Sequence, residues 1–144
     1  MLLALSEAER AAARREVPVG AVIVDPVERR VIAADGNRVI ERRDPTAHAE
    51  LLAVREACRA VGSERLEGLD MYVTLEPCPM CAQAISFARI RRLYFGTPDE
   101  KGGGVEHGPR IFAQRTCHHV PEVYGGMNES RAAELLRDFF RDRR

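Results

Sequence analysis

The chain has 144 residues, 45% hydrophobic and 31% charged, and its 22 basic and 22 acidic side chains give a net charge of zero. This length and composition predict one soluble domain, residues 1–144, without the overall positive charge that many nucleic-acid-binding proteins carry. No apolar run approaches the ~20 residues of a membrane span, and no basic segment precedes the apolar residues 1–5, so we expect neither a membrane partner nor a signal peptide. Four cysteines do not make a disulfide framework, and we therefore expect a cytoplasmic protein.

The first third of the chain is predicted to form a helix followed by a β-hairpin. Residues 2–15 are rich in Ala, Leu, Glu and Arg, which favours a helix that Pro18 ends. The β-branched run at residues 19–24 indicates a buried strand, and residues 31–34 form its hairpin partner after a turn.

A second helix is predicted from Thr46 to a stop at Gly62. Its apolar face consists of residues spaced by three or four, namely Leu51, Val54, Cys58 and Val61. Cys58 is therefore expected to be a small core residue and not a metal ligand.

The rest of the chain adds two strands and two helices. Strands are predicted at residues 71–75 and 93–95, with a helix at 78–88 between them. A final helix spans 128–143, with an apolar stripe formed by Ala132, Leu135, Leu136, Phe139 and Phe140. The order β-β-α-β-α-β predicts an α/β protein with a mixed central sheet and helices on its faces.

Two short motifs contain the residues suited to chemistry, His48-Ala49-Glu50 and Pro77-Cys78-Pro79-Met80-Cys81. One imidazole and two thiolates would fill three positions of a tetrahedral zinc ion, and a catalytic zinc leaves the fourth position open for water. Zinc makes that water a nucleophile near neutral pH, and Glu50 is the spare carboxylate that would move its protons.

The spacing of both motifs suits helix N-termini. Pro77 is suited to the start of a helix, and Cys78 and Cys81, three residues apart, would then share one helical face. His48 and Glu50 can converge only if His48 lies in the first turn of its helix, and Thr46 is the expected N-cap.

The two motifs are specific only in combination. H-x-E followed by P-C-x-x-C is the signature of zinc-dependent nucleobase deaminases. The alternative is a structural zinc site with Glu50 as an ordinary exposed acid, but structural sites normally show four protein ligands.

Further stretches resemble the bacterial tRNA-specific adenosine deaminases, in the same order along the whole chain. They are residues 16–21 (EVPVGA), 36–38 (GNR), 44–50 (DPTAHAE), 72–78 (YVTLEPC), 89–92 (RIRR), 95–96 (FG) and 138–141 (DFFR). The resemblance implies a three-layer α/β/α fold of the cytidine deaminase type and hydrolysis of adenosine to inosine at the wobble position of a tRNA anticodon. It also implies one zinc ion per chain and a homodimer.

The resemblance implies substrate contacts as well. Asn37 would hydrogen-bond the base, although a turn asparagine is the simpler interpretation. Asp99 and Lys101 would lie at the substrate mouth, in a loop whose three glycines, 102–104, equally suit an exposed turn. Pro98 stands where the family usually has a basic residue.

The end of the chain offers candidate RNA contacts. We expect at least one of Phe139 and Phe140 to pack in the core, while the other could stack on a nucleobase. Arg141, Arg143 and Arg144 would contact the phosphates of the anticodon stem-loop, whereas in an enzyme for free bases they would be solvated surface.

Three alternatives stay open at this point. The same chemistry could act on a free base or nucleoside of the guanine or cytosine type. A non-catalytic, zinc-stabilised RNA-binding module would have no use for Glu50. A second metal site at Cys117-His118-His119 is disfavoured, because adjacent residues seldom coordinate one tetrahedral ion together.

Overall fold

The computed structural model describes residues 1–143. The elements in chain order are α1 (Leu2–Ala13), β1 (Gly20–Asp25), β2 (Arg30–Gly36), α2 (Val39–Arg42), α3 (Ala49–Val61), β3 (Asp70–Leu75), α4 (Pro79–Phe87), β4 (Arg92–Thr97), a 3₁₀ turn (Ile111–Ala113), β5 (Glu122–Tyr124) and α5 (Glu129–Arg141). Within the described residues, no helix is both long and apolar enough to cross a bilayer.

The strands form a mixed sheet in the order β2-β1-β3-β4-β5. β1 is antiparallel to β2 and β3, whereas β3, β4 and β5 are parallel to one another. β3 leads directly towards α4 and β4 leads into the loop at residue 98, so the segments after both strands meet at one edge of the sheet. Ligand sites of α/β proteins form at this edge.

Helices cover both faces of the sheet, which confirms the predicted three-layer α/β/α architecture. α1 and α5 pack on one face, and α3 and α4 pack on the other. α1 approaches β1 so closely that a Cβ atom on Gly20 would collide with the carbonyl oxygen of Ala4. The core between the sheet and α3–α4 contains Ile23, Met71 and Phe95, all fully buried.

The predicted helices and strands are present with small shifts at their ends, and Gly62 ends α3 in the left-handed conformation (φ +70°). Cys58 packs partly buried against the core, as expected. The short elements α2 and β5 were not predicted, because four residues and three residues are too few to show a periodicity.

Candidate active site

The three predicted metal ligands converge. Nδ1 of His48 lies 3.5 Å from Sγ of Cys78 and 3.6 Å from Sγ of Cys81. Among residues 1–143 these side chains form the one group of His, Cys, Asp or Glu arranged to hold a metal ion. Bond lengths of about 2.3 Å for Zn–S and about 2.0 Å for Zn–N at a tetrahedral angle place S and N about 3.5 Å apart. The donor set and its spacing therefore fit zinc.

The cysteine pair lies at the start of α4, one residue away from the predicted position. Cys78 is the N-cap and Pro79 is the first helical residue, so the prediction of a helix that starts at Cys78 was wrong by one residue. Cys78 is extended (φ −69°, ψ 169°) because the residue before a proline is forced out of the helical region. Cys81 lies in the first turn, so both sulfur atoms are on the side of α4 that faces His48.

His48 is itself the N-cap residue of α3, with extended backbone (φ −77°, ψ 149°), and Glu50 lies in the first helical turn. The prediction that Thr46 caps this helix was wrong. The Thr46 hydroxyl instead donates to the carboxylate of Asp44 at 2.7 Å, and its N–H donates to the same oxygen at 2.8 Å. Thr46 closes a tight turn that precedes the helix.

Asn37 supplies the cap that Thr46 does not. Its side-chain oxygen accepts the backbone N–H of Ala49 at 2.8 Å, and Arg14 donates to its carbonyl oxygen at 3.1 Å. Asn37 is 9% exposed and lines the cavity beside Glu50. The observed role of the Asn37 side chain is therefore to cap α3. Its predicted contact with a base stays a prediction.

The electrostatics of the two thiols suit a cation. The hydrogen bond from Cys81 lowers the pKa of Cys78 to about 4, and the same contact raises the pKa of Cys81 far above its usual range. Two thiols that compete for one proton in this way would both be stabilised as thiolates by a divalent cation between them. Hydrogen bonding to Cys78 raises the pKa of His48.

Glu50 is 4% exposed, and this burial raises its pKa to about 7. A buried carboxylate without a basic partner costs free energy, so its presence in this cavity favours a chemical role over the exposed acid of the structural-site alternative.

A cavity of about 510 Å³ opens directly above these groups. His48, Glu50 and Cys78 line it, together with Asn37 and Asp99. This volume lies within the usual range for sites that bind small molecules.

α5 and the residues directly after it supply part of the wall of the cavity. Phe139 and Arg143 line it, and the Arg143 guanidinium lies 3.9 Å from the centre of the Phe139 ring. Arg143 also donates to the carbonyl oxygen of Arg15, another lining residue, at 2.9 Å. Phe139 is only partly buried and Phe140 is half-exposed, so the expectation that one of them lies in the core was wrong.

The other predicted contacts lie beside the cavity. Lys101 and Phe140 line a neighbouring depression that shares Asp99 with the main cavity. Arg141 is exposed and forms an ion pair with Asp138 at 3.0 Å. Arg144 lies outside the described residues.

The loop after β4 is built around one carboxylate that the sequence did not single out, that of Glu76. Its side chain is fully buried and accepts five hydrogen bonds from residues 99–107. Gly103 packs so closely on it that a Cβ atom there would collide with the carboxylate. A Cβ atom on Gly104 would likewise collide with the backbone of Pro79, so Gly103 and Gly104 are required by a close approach, whereas Gly102 is exposed. The sequence did contain one signal for this role, namely a single acidic residue between the apolar strand β3 and Pro77, where a charged side chain needs hydrogen-bond partners if it is buried.

Residues 117–119 pack against α4 and the turn after it, where they form polar contacts. Ser86 donates to the carbonyl oxygen of His119 at 2.6 Å, and the His119 ring donates to the carbonyl oxygen of Ile90 at 2.7 Å. The Cys117 sulfur lies 3.2 Å from the Ser86 hydroxyl. The polar groups of Cys117 and His119 therefore have protein partners, and residues 117–119 do not form a metal-binding group among the described residues.

The fold and the site define a class of enzyme. The sequence profile of the cytidine and deoxycytidylate deaminase zinc-binding region matches residues 1–97, and the chain belongs to this class of zinc-dependent deaminases. Within it, the chain belongs to the family of tRNA-specific adenosine deaminases. It is 62% identical over 144 residues to the Agrobacterium fabrum member, covering 100% of this chain and 93% of the relative. The Rickettsia bellii member is 45% identical over 138 residues, covering 96% and 95%.

Solved structures of deaminases share the fold of this chain. A chain from a study of A-to-I editing by tRNA:A34 deaminases at the wobble position of transfer RNA is 62% identical, with a TM-score of 0.91 over 94% of this chain and 97% of that one. Guanine deaminase from Bacillus subtilis is 38% identical, with a TM-score of 0.62 over 66% of this chain and 60% of that one. The cytidine-deaminase-like fold and the zinc requirement predicted from the motifs are thus confirmed.

Proposed function

We propose that this chain converts adenosine to inosine at the wobble position of a tRNA anticodon, consuming one water molecule and releasing ammonia. The observation that carries the chemistry is the buried carboxylate of Glu50, which lines the same cavity as His48 and Cys78, two members of the metal-binding group that Cys81 completes. The relatives at 42–62% identity, all tRNA-specific adenosine deaminases, support the substrate.

His48, Cys78 and Cys81 hold the zinc ion, which when bound supplies Lewis-acid activation of water. Glu50 accepts a proton from the water that attacks C6 of adenine and delivers it to N1. It then transfers the second proton to the departing amino group, which leaves as ammonia. One group can serve both transfers because the carboxylate, at the start of α3, faces the cavity that would hold the base.

The cavity walls bind and orient the nucleoside. Asn37 uses its side-chain oxygen to cap α3, which leaves its NH₂ group to donate to the base. Phe139 and Arg143, whose guanidinium lies over the Phe139 ring, form part of the mouth, where the planar guanidinium can stack on a base or bind a backbone phosphate. Asp99, Lys101, Phe140, Arg141 and Arg144 are proposed contacts to the flanking nucleotides. An anticodon loop suits this site because its bases are already unstacked.

We further propose that residues 1–144 act as one domain, that two copies form a homodimer, and that the enzyme works in the cytoplasm. One continuous sheet and one core support the single domain. Phe87, an apolar side chain of α4 that is 70% exposed, is a candidate for the contact between the two copies. Sedimentation measurements would test the dimer, and replacing Phe87 with Ser should shift it towards the monomer.

The experiment that tests the function compares substrates for the zinc-loaded protein. We expect inosine in an anticodon stem-loop RNA with adenosine at the wobble position, and no product from the same loop with that adenosine moved by one position. Free adenosine, guanine and cytidine are assayed in parallel. Deamination of free guanine or cytidine without action on the stem-loop would contradict the substrate, and RNA binding without inosine would favour the non-catalytic module.

A further inference from the structure

The carboxylate of Glu76 joins two parts of the site that are far apart in sequence. Oε1 accepts the backbone N–H of Asp99 at 3.0 Å and the Nδ1–H of His107 at 2.8 Å. Oε2 accepts the backbone N–H groups of Val105, Glu106 and His107 at 3.0–3.2 Å. One fully buried side chain thus holds both ends of the segment 99–107.

The same segment is fastened to the metal-binding turn at a second point. The N–H of Gly104 donates to the carbonyl oxygen of Pro77 at 2.8 Å, and a Cβ atom on Gly104 would collide with the backbone of Pro79. Glu76 itself lies two residues before Cys78. The segment 99–107 is therefore clamped directly onto the turn that presents Cys78.

This clamp sets the shape of the cavity. Asp99 and Gly102, which belong to the clamped segment, line the same cavity as Glu50. The Asp99 side chain accepts the N–H groups of Lys101 and Gly102 at 3.1 and 2.9 Å, so the position of Asp99 also fixes the turn that presents Lys101. Glu76 takes no part in the proton transfers assigned to Glu50.

We infer that Glu76 is a positioning residue for the substrate, with His107 as its side-chain partner. Together they hold the wall 99–107 at a fixed position relative to Cys78, an inference that rests on the proposed function. A carboxylate suits this task because it only accepts hydrogen bonds, and five donors converge on it. Glutamine would turn one NH₂ group towards N–H donors.

The test uses His107, because its half-buried ring can be replaced without opening the core. His107→Ala removes the Nδ1–H donor, whereas His107→Asn retains a nitrogen donor at the same distance from the backbone. His118→Ala is the matched control, since His118 is an exposed histidine outside the clamped segment. Each zinc-loaded variant is assayed for KM and kcat on the stem-loop RNA, for zinc content and for amide hydrogen exchange at residues 105–107.

We expect His107→Ala to raise KM about tenfold while kcat changes less than threefold and zinc content stays at the wild-type value. Exchange at residues 105–107 should speed up, and His107→Asn should restore both KM and protection. A merely structural role would reduce the amount of folded protein without changing KM of the folded fraction.

Two results would overturn the inference. One is an unchanged KM in His107→Ala, and the other is a fall in kcat alone, which would assign His107 to the chemistry. Glu76→Gln provides a second measurement, and we expect it to raise KM more than His107→Ala does. An equal or smaller rise in KM would contradict the role of the carboxylate. Failure of the proposed function is distinguishable, because the wild-type protein itself would then not deaminate the stem-loop.

Discussion

The side-chain oxygen of Asn37 accepts the backbone N–H of Ala49, the residue between His48 and Glu50, at 2.8 Å. This hydrogen bond fixes the start of α3 from a loop twelve residues earlier in the chain. Because His48 is the N-cap of α3 and Glu50 lies in its first turn, the metal ligand and the carboxylate are both oriented by Asn37. Asn37 also lines the cavity that we propose as the substrate site, so it connects this cavity to the helix that presents His48 and Glu50.

The two roles of Asn37 can be separated by substitution. Asn37→Asp keeps an oxygen that accepts from Ala49 but loses the NH₂ donor, so we expect stability close to wild type and reduced turnover. Asn37→Ala loses the cap as well and should lower the free energy of unfolding by roughly 1 kcal/mol. Urea unfolding and stem-loop assays of both variants check this. Full activity in Asn37→Asp would remove the amide from substrate binding.

Cys78→Ala should abolish zinc binding and activity and lower stability, because ligation by thiolates is coupled to folding. Cys58→Ala is the matched control: Cys58 packs against the core away from the site, and this variant should retain one zinc ion per chain. Metal analysis of the purified proteins measures both. Two equivalents in the wild-type chain would point to a second site at residues 117–119, and none would refute the zinc assignment.

Glu50→Gln should keep the fold and the zinc ion while losing turnover. Glutamine preserves size and hydrogen bonding but cannot carry a proton. General acid–base groups contribute ~10²–10⁴-fold, and we expect the upper end because one group serves two transfers. Single-turnover assays on stem-loop RNA give the loss, with zinc content measured on the same sample. Near-native turnover with zinc bound would show that Glu50 is not the proton carrier.

Replacing Arg141 and Arg143 together with alanine should weaken binding of the stem-loop and flatten its salt dependence. Removing one arginine–phosphate interaction lowers the slope of log K against log salt by roughly 0.7 for single-stranded RNA. Arg59→Ala, on an exposed position of α3 that does not line the cavity, is the control and should leave the slope unchanged. Binding titrations at several salt concentrations provide the slopes. Equal slopes in all three proteins would exclude the C-terminal arginines from the RNA-binding surface.

The pair of His107 and Glu76 should make stability depend on pH in the neutral range. The hydrogen bond to the Glu76 carboxylate raises the pKa of His107 above its ordinary value of 6.5. The resulting stabilisation is complete below the pKa of the unfolded state and is lost as pH rises through the pKa of the folded state. The stability difference between wild type and His107→Asn should therefore shrink from pH 6 to pH 9. Urea unfolding of the zinc-loaded proteins measures it, and a constant difference would contradict the ion pair.

The sequence alone determined the class of fold and the metal ligands. Short apolar and β-branched runs predicted β1, β2, β3 and β4, and apolar residues spaced by three or four predicted α3 and α5, because a buried strand or a buried helix face requires apolar side chains. His48, Cys78 and Cys81 were identifiable because zinc accepts few ligand types and because H-x-E and P-C-x-x-C each keep their functional groups within one short segment.

Only the tertiary structure decided how those segments are held. Asn37 caps α3 in place of Thr46, and Glu76 anchors residues 99–107, through hydrogen bonds between residues 12 to 31 positions apart. Phe139 and Arg143 reach the cavity because α5 packs beside α1 on the sheet. Such interactions leave no periodic pattern in the sequence, since a buried polar group can be satisfied by any donor or acceptor that the fold brings near it.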